Sequence, residues 1–335
     1  MDGEMNVRGE GDVLLREQVI PAPMGASPEA RVYLTTPFWA GDRERLDPDD
    51  LQGWKTMIAE VDGMFAPLVQ GMLERSEADV ERVVLGGVPV YRGTPRSLPA
   101  RDADKAHLHI HGGGWAFMGG EACGGFAAVQ ANDLGCTTYS VDYRVPPEHR
   151  YPAALDDCLA VYRELLQTYR PENIVVSGNS AGGNLSAAVV LRIRDEGLPL
   201  PAAVALLTPA VDGALVGDTS HANDQLDTVL KREAMAEFWA VYAGGRDRHD
   251  PYLSPVYADY SSGFAPTLLQ SGTRDLLLSD TVRLHRALRR GGVEAELHVW
   301  EAMPHGGFGG EAPEDLELTA EIRRFFNSHW GRARA

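Results

Sequence analysis

Apolar positions along this chain change period twice. Leu51, Trp54, Met57, Ile58, Val61, Met64, Phe65, Leu68, Val69 and Met72 recur at helical spacing, and PAPMGASP and DPDD interrupt the pattern upstream. Asp47 and Asp49 are the candidates to cap the helix that follows. Residues 1–75 therefore read as two or three helices with no strand. DVERVVLGGVPVYRG then holds two extended runs about Gly86-Gly87, the pattern of a hairpin.

From Ala106 onward, short β-rich runs (HLHIH, TTYSVDY, NIVVSG, AVALLT, PTLLQSG, AELHVW) alternate with amphipathic stretches such as ALDDCLAVYRELLQTY and TVRLHRALRRGG. Apolar strands separated by helices predict an α/β fold, a mostly parallel sheet covered on both faces. Between AVALLT and PTLLQSG the rhythm fails. Residues 209–265 far exceed the length of a crossover and contain their own helical run, LKREAMAEFWAVYAGG. The expected organisation is an N-terminal helical cap segment (1–75), a catalytic core (76–211 and 263–335) and a cap insertion (212–262).

Composition narrows the partners. The 335 residues carry 31 Lys and Arg against 48 Asp and Glu, a formal charge of −17, with only Lys55, Lys105 and Lys231 as lysines. A field of that sign repels phosphate backbones and anionic lipid, so neither nucleic acid nor a membrane surface is an expected partner. Cys123, Cys136 and Cys158 form no C-x-x-C pair and read as small buried hydrophobes in a reducing compartment. The acidic start MDGEMNVRGEGD lacks signal-peptide features, and no apolar run approaches the ~20 residues that span a bilayer. A cytoplasmic location is the expectation.

The sharpest chemical signal is Gly178-Asn179-Ser180-Ala181-Gly182, a G-x-S-x-G between a β-branched run and a helical one. A strand turning abruptly into a helix lifts the central serine above the sheet at a helix N-terminus, where free N–H groups favour negative charge. A serine is a weak nucleophile without a base, and the base needs an orienting acid, in the chain order Ser, Asp or Glu, His. Asp275 follows PTLLQSGTR and His305 follows AELHVWEAMP, each just past the carboxyl end of a predicted strand, where active-site groups of open α/β sheets gather. Asp280 reads better as a cap or first-turn charge. Glu301 lies too near His305 in sequence to orient it, and His285 and His298 fall within a helix and a strand. Directly after HLHI, the run His111-Gly112-Gly113-Gly114-Trp115 can turn peptide N–H groups inward to hold an oxyanion. Gly113 and Gly114, with Ala181, are the candidate donors. His107, His109 and His111 share a strand face, as metal ligands can, but no further ligand stands at suitable spacing; no metal is expected, and His111 is expected to anchor the loop.

With these residues in place the chain resembles the hormone-sensitive-lipase-like group of α/β-hydrolases, the bacterial family IV esterases. HGGGW, VDYRVPPEHRYPAALDD, GNSAGGNL, DPYLSPVYAD, GTRDLLLSD and MPHGGF carry the resemblance in order from about Val80 to the end. It implies an α/β-hydrolase fold with a helical cap, a Ser180–Asp275–His305 triad, an oxyanion hole of Gly113, Gly114 and Ala181, no cofactor, and commonly a homodimer. The chain departs from the family at Asn179, where Asp is usual, at Leu276 and at Val145-Pro146. The implied reaction is hydrolysis of a small ester substrate through an acyl-enzyme, with lactone or amide hydrolysis as the alternative. Substrate contacts are expected from Phe38, Trp39, Met64 and Phe65 on one side, Phe238, Trp239 and Tyr242 on the other, and Trp115 and Phe117 beside the oxyanion loop.

Overall fold

The apolar runs assemble into one eight-stranded sheet in the computed structural model, which describes residues 19–36, 38 and 45–332. The strands are β1 (Ala78–Leu85), β2 (Val88–Pro95), β3 (Ala106–Ile110), β4 (Thr137–Val141), β5 (Ile174–Asn179), β6 (Ala203–Leu207), β7 (Thr267–Gly272) and β8 (Ala295–Trp300), in the spatial order β1-β2-β4-β3-β5-β6-β7-β8. The hairpin β1–β2 and the pair β2–β4 are antiparallel; every other pair is parallel. Gly86 and Gly87, at φ 58° and 82°, make the two-residue hairpin turn that only residues tolerant of positive φ allow.

Nine described helices surround the sheet: α1 (Pro28–Tyr33), α2 (Leu51–Arg75), α3 (Glu121–Leu134), α4 (Ala153–Leu165), α5 (Ala181–Asp195), α6 (Thr219–Ala222), α7 (Arg232–Ala243), α8 (Leu278–Arg290) and α9 (Pro313–His329). Successive strand residues serve opposite faces, as a pleated strand requires. Val175, Ala203, Ala205 and Leu268 pack with Leu134, Ile322, Phe325 and Phe326 on one side. Their neighbours Ile174, Val176, Val204, Leu206 and Leu269 join the larger core with residues of α4, α5 and α8 on the other. None of the described helices is long and apolar enough to cross a membrane. The three cysteines are buried and unpaired.

Helix α2 buries Trp54, Met57, Val61 and Val69, a single face of a 25-residue helix. Its cap differs from expectation. Asp50, not Asp47 or Asp49, accepts from the Gly53 N–H at 2.9 Å, because Asp47 closes a turn on Asp49 N and Asp49 reaches across to Arg150.

The strand register decides which loops meet. Ile110 lies opposite Gly178, so the glycine-rich loop after β3 leaves the sheet beside the G-x-S-x-G turn after β5. Gly272 lies opposite Trp300, which brings the turns after β7 and β8 together. Backbones also approach closely at Gly93 in β2, where an added Cβ would stand 2.3 Å from the Ala127 carbonyl oxygen of α3, whereas Gly63 in α2 has open space around it. Gly93→Ala should lower the unfolding free energy by about 1–3 kcal/mol or more, and Gly63→Ala should raise it by about 0.5–1 kcal/mol. Urea denaturation of the two variants reads both signs; equal midpoints would refute the contrast.

Candidate functional site

Ser180 occupies the turn between β5 and α5 at φ 57° and ψ −118°, a backbone region that costs an L-residue free energy. Both flanking positions must be glycine. A Cβ on Gly178 would lie 2.2 Å from the Gly182 carbonyl oxygen, and one on Gly182 would lie 2.0 Å from that of Ile110. The Ser180 side chain makes no capping bond to its own helix. Its Oγ stands 2.8 Å from His305 Nε2 instead.

The other ring nitrogen, His305 Nδ1, is 3.0 Å from Asp275 Oδ1. Asp275 is fully buried, with Oδ1 also accepting from Leu277 N (2.9 Å) and Oδ2 from Ser271 Oγ (2.6 Å). A carboxylate surrounded by donors can only accept, so Nδ1 carries the imidazole proton and Nε2 is left to accept from the serine hydroxyl. Burial by itself depresses the imidazole pKa; the hydrogen bond and charge of Asp275, joined by the charge of Asp227, more than offset this and raise it above 6.5.

The loop after β3 holds Gly113, Gly114 and Trp115 at φ 91°, 58° and 62°. Space is again decisive, since a Cβ on Gly113 would stand 2.5 Å from the Phe117 carbonyl oxygen. Among the described residues no backbone or side-chain acceptor takes the N–H of Gly113, Gly114 or Ala181. His111 braces the loop: its Nδ1 bonds the Gly112 carbonyl at 2.9 Å, its ring stacks on Tyr143 at 4.1 Å, and Tyr143 donates to the His111 carbonyl at 3.0 Å. Burial lowers the His111 pKa to about 4, so the ring is neutral. Asp62 of α2 holds the far end of the loop by accepting from Met118 N at 2.7 Å.

A family model described as the α/β-hydrolase fold matches residues 107–308. An acetyl-hydrolase of Streptomyces hygroscopicus is 31% identical over 208 residues, 62% of this chain and 69% of that protein. A carboxylesterase of Mycobacterium tuberculosis is 34% identical over 219 residues, 62% of this chain and 67% of that protein. Among solved structures, an esterase superposes with a TM-score of 0.85 at 34% identity, over 96% of this chain and all of the other. An esterase from the bacterial hormone-sensitive lipase family superposes at 0.77 and 31% identity, over 92% of this chain and all of the other. The chain belongs to the α/β-hydrolases of this family.

In this α/β-hydrolase a cavity of about 240 Å³ opens at Ser180 and His305. Of the expected contact residues, Phe38, Phe65, Phe117 and Phe238 line it. Trp115, Trp239 and Tyr242 do not: they are buried in the core, with Trp115 stacked on Tyr242 at 4.5 Å and against Trp239 at 4.3 Å. Helix α7 turns Phe238 toward the cavity; Trp239, 100° further round the helix, turns into the core, and Tyr242, on nearly the same face as Phe238 but one turn further along, stacks on Trp115. Met64 is 62% exposed, and Trp39 lies outside the described residues. Tyr33, Val61, Met118, Asn179, Val229 and Leu230 complete the wall. Asn179, at the position usually Asp, accepts from Thr208 Oγ1 through its Oδ1 at 2.8 Å.

The competing residues lie elsewhere. Asp280 does not cap its own helix; its Oδ2 accepts from Val211 N and Asp212 N, both at 3.0 Å, and pins the chain leaving β6 to α8. Burial, then the charge of Asp212, push its pKa well up. Glu301 is exposed, His285 is half-buried on α8, and His298 lies beside Glu296 in β8. His107 bonds Thr138 and Ser177 while His109 bonds Ser140, so their ring nitrogens hold β3 to its neighbours. Burial lowers the His107 pKa to about 3.

Sequence reasoning missed one buried carboxylate altogether. Asp227, from the segment between α6 and α7, brings an oxygen within 4.8 Å of ligand-type atoms of Asp275 and His305. Distance alone would admit a metal ion there, but the Asp275 and Asp227 oxygens are engaged by N–H and O–H donors and Nδ1 by Asp275, which leaves no suitable donor set. No local motif marks Asp227. Asp275→Asn should lower the hydrolytic kcat about 10³- to 10⁴-fold by disturbing the tautomer and the imidazolium. Asp280→Asn, whose side-chain oxygen can still accept from Val211 and Asp212, should keep kcat within severalfold; equal losses in steady-state assays would contradict the assignment.

Proposed function

We propose that this hydrolase is a serine carboxylesterase that cleaves short-chain carboxylic esters through an acyl-enzyme. The observation that carries the reading is the hydrogen-bonded line Ser180–His305–Asp275, opening on a cavity beside a glycine loop whose N–H groups are unspent. Ser180 Oγ attacks the ester carbonyl carbon as His305 Nε2 takes its proton. The carbonyl oxygen becomes an oxyanion held by the N–H groups of Gly113, Gly114 and Ala181, each donor worth about 3–4 kcal/mol in the transition state. Collapse breaks the bond to the alcohol oxygen, to which His305 returns the proton. Water then attacks the acyl-enzyme along the same path, His305 again removing the proton and returning it to Ser180. Asp275 holds the tautomer and stabilises the imidazolium formed in each half-reaction.

The cavity argues for the substrate class. Among the described residues its lining contains no Lys, Arg, Asp or Glu, and Tyr33, Phe38, Val61, Phe65, Phe117, Leu230 and Phe238 make it apolar. Neutral acyl groups fit such a wall, because burying an unpaired charge there would cost several kcal/mol. At about 240 Å³ it falls below the ~300–1,000 Å³ usual for drug-sized ligands, which favours short acyl chains. The acetyl-hydrolase among the relatives supports the same preference.

An initial-rate panel of p-nitrophenyl esters of increasing acyl length tests the reading. Acetate to butyrate should be preferred, and a rate that climbs beyond about ten carbons would overturn the short-chain assignment. Ser180→Ala should abolish turnover in the same panel; full activity would sink the mechanism. The pH profile of kcat/KM is a separate check. His305 acts as a base only when neutral and its pKa is raised, so activity should fall on acidification with a midpoint above pH 6.5.

A further inference from the structure

We infer that Asp227 is a positioning residue of this esterase, a second carboxylate that ties the acid turn, the base turn and the acyl-cavity wall into one unit. The inference rests on the esterase reading and deepens it. Asp227 is 1% exposed and reaches the site from the segment inserted between β6 and β7. Its Oδ2 accepts from Leu276 N at 2.7 Å, directly after Asp275. Its Oδ1 accepts from Val229 N at 2.9 Å, Leu230 N at 3.1 Å and, more weakly, His305 N at 3.3 Å. Val229 and Leu230 line the cavity. One side chain therefore holds the backbone of the turn beside Asp275, the backbone of His305 itself and two residues of the cavity wall.

The chemistry of the four contacts selects the anion. All are N–H donors, so a proton on either oxygen would find no acceptor among these contacts. Burial, joined by the charge of Asp275, pushes the Asp227 pKa up, while the His305 charge and the N–H groups of Leu276 and Val229 pull against this. The charged groups acting on the His305 imidazole are Asp275, from the turn after β7, and Asp227, from the insertion. Burial, then the charge of Asp315 and then that of Asp227, raise the phenol of Tyr33 in α1. The imidazolium that forms in each half-reaction thus faces two carboxylates, one bonded to Nδ1 and one bonded to the backbone on either side.

The test uses the full chain with Asp227→Asn and Asp227→Ala. The Asn variant removes the charge and sets its amide against the Leu276 N–H or the other three donors. Its kcat on p-nitrophenyl acetate should fall about 10- to 100-fold, the scale of a small misplacement of catalytic groups, with KM within about threefold. The acid limb of kcat/KM should move to lower pH, and the His305 imidazole, followed by NMR, should titrate at lower pH in step. The Ala variant, if it folds, should lose at least as much. An imidazole titration identical to wild type in Asp227→Asn overturns the inference, whether kcat is unchanged or falls in step with thermal stability. If the wild type hydrolyses no ester, the esterase reading fails, yet the NMR titration still decides whether Asp227 acts on His305.

Discussion

The site depends on backbone segments approaching closer than any side chain would permit. At Gly182 the N-terminus of α5 lies against the carbonyl oxygens of Ile110 and His111, where a Cβ would find them at 2.0 and 2.4 Å. At Gly178 the strand lies against Gly182 itself. These contacts set β5, its turn and the loop after β3 at one mutual distance, so Ser180 and the free N–H groups of Gly113 and Gly114 are positioned by the same backbones. The positive φ of Ser180 costs about 1–3 kcal/mol, borne by the buried strands and helix around it.

A second layer of order comes from aromatic packing. Trp115 leaves the glycine loop at φ 62° and drives its ring into the core, stacked on Tyr242 and against Trp239. The loop that offers N–H groups is thereby anchored to α7, while Phe238 on the same helix faces the cavity. On the other side Asp62 ties the loop to α2, and Phe38 stacks on Phe65 of that helix at 5.5 Å. Helices from two remote parts of the chain thus grip the glycine-rich loop and form the cavity wall.

Electrostatics is divided by place. The chain carries a formal charge of −17, yet among the described residues the cavity lining has no Lys, Arg, Asp or Glu, and His305 is the base it presents. Behind the cavity, buried carboxylates cluster where backbone N–H groups can receive them. Asp275 and Asp227 flank the imidazole, and Asp280 with Asp212, paired to Arg283 at 2.5 Å, fastens the start of the insertion to α8. Each accepts several donors, which is how a low-dielectric interior tolerates them.

What sequence alone determined is what the local backbone demands. Strand alternation, the Gly86-Gly87 hairpin, the glycine positions about Ser180 and the run after β3 each express a steric requirement met within a few residues, so they can be read without knowing the neighbours. Asp275 and His305 were legible for a related reason: parallel topology delivers residues just past strand ends to one edge of the sheet. Only the tertiary structure decided what depends on the rotation and register of remote segments. A 100° step per residue turned Phe238 to the cavity and Trp239 to the core, a one-residue shift moved the cap of α2 to Asp50, and Asp280 served a neighbouring loop instead of its own helix. Asp227 is the clearest instance. It stands 48 positions before Asp275 and 78 before His305 in the sequence, with no pattern around it, and its surroundings arise only when the inserted segment folds back over the turns that follow β7 and β8.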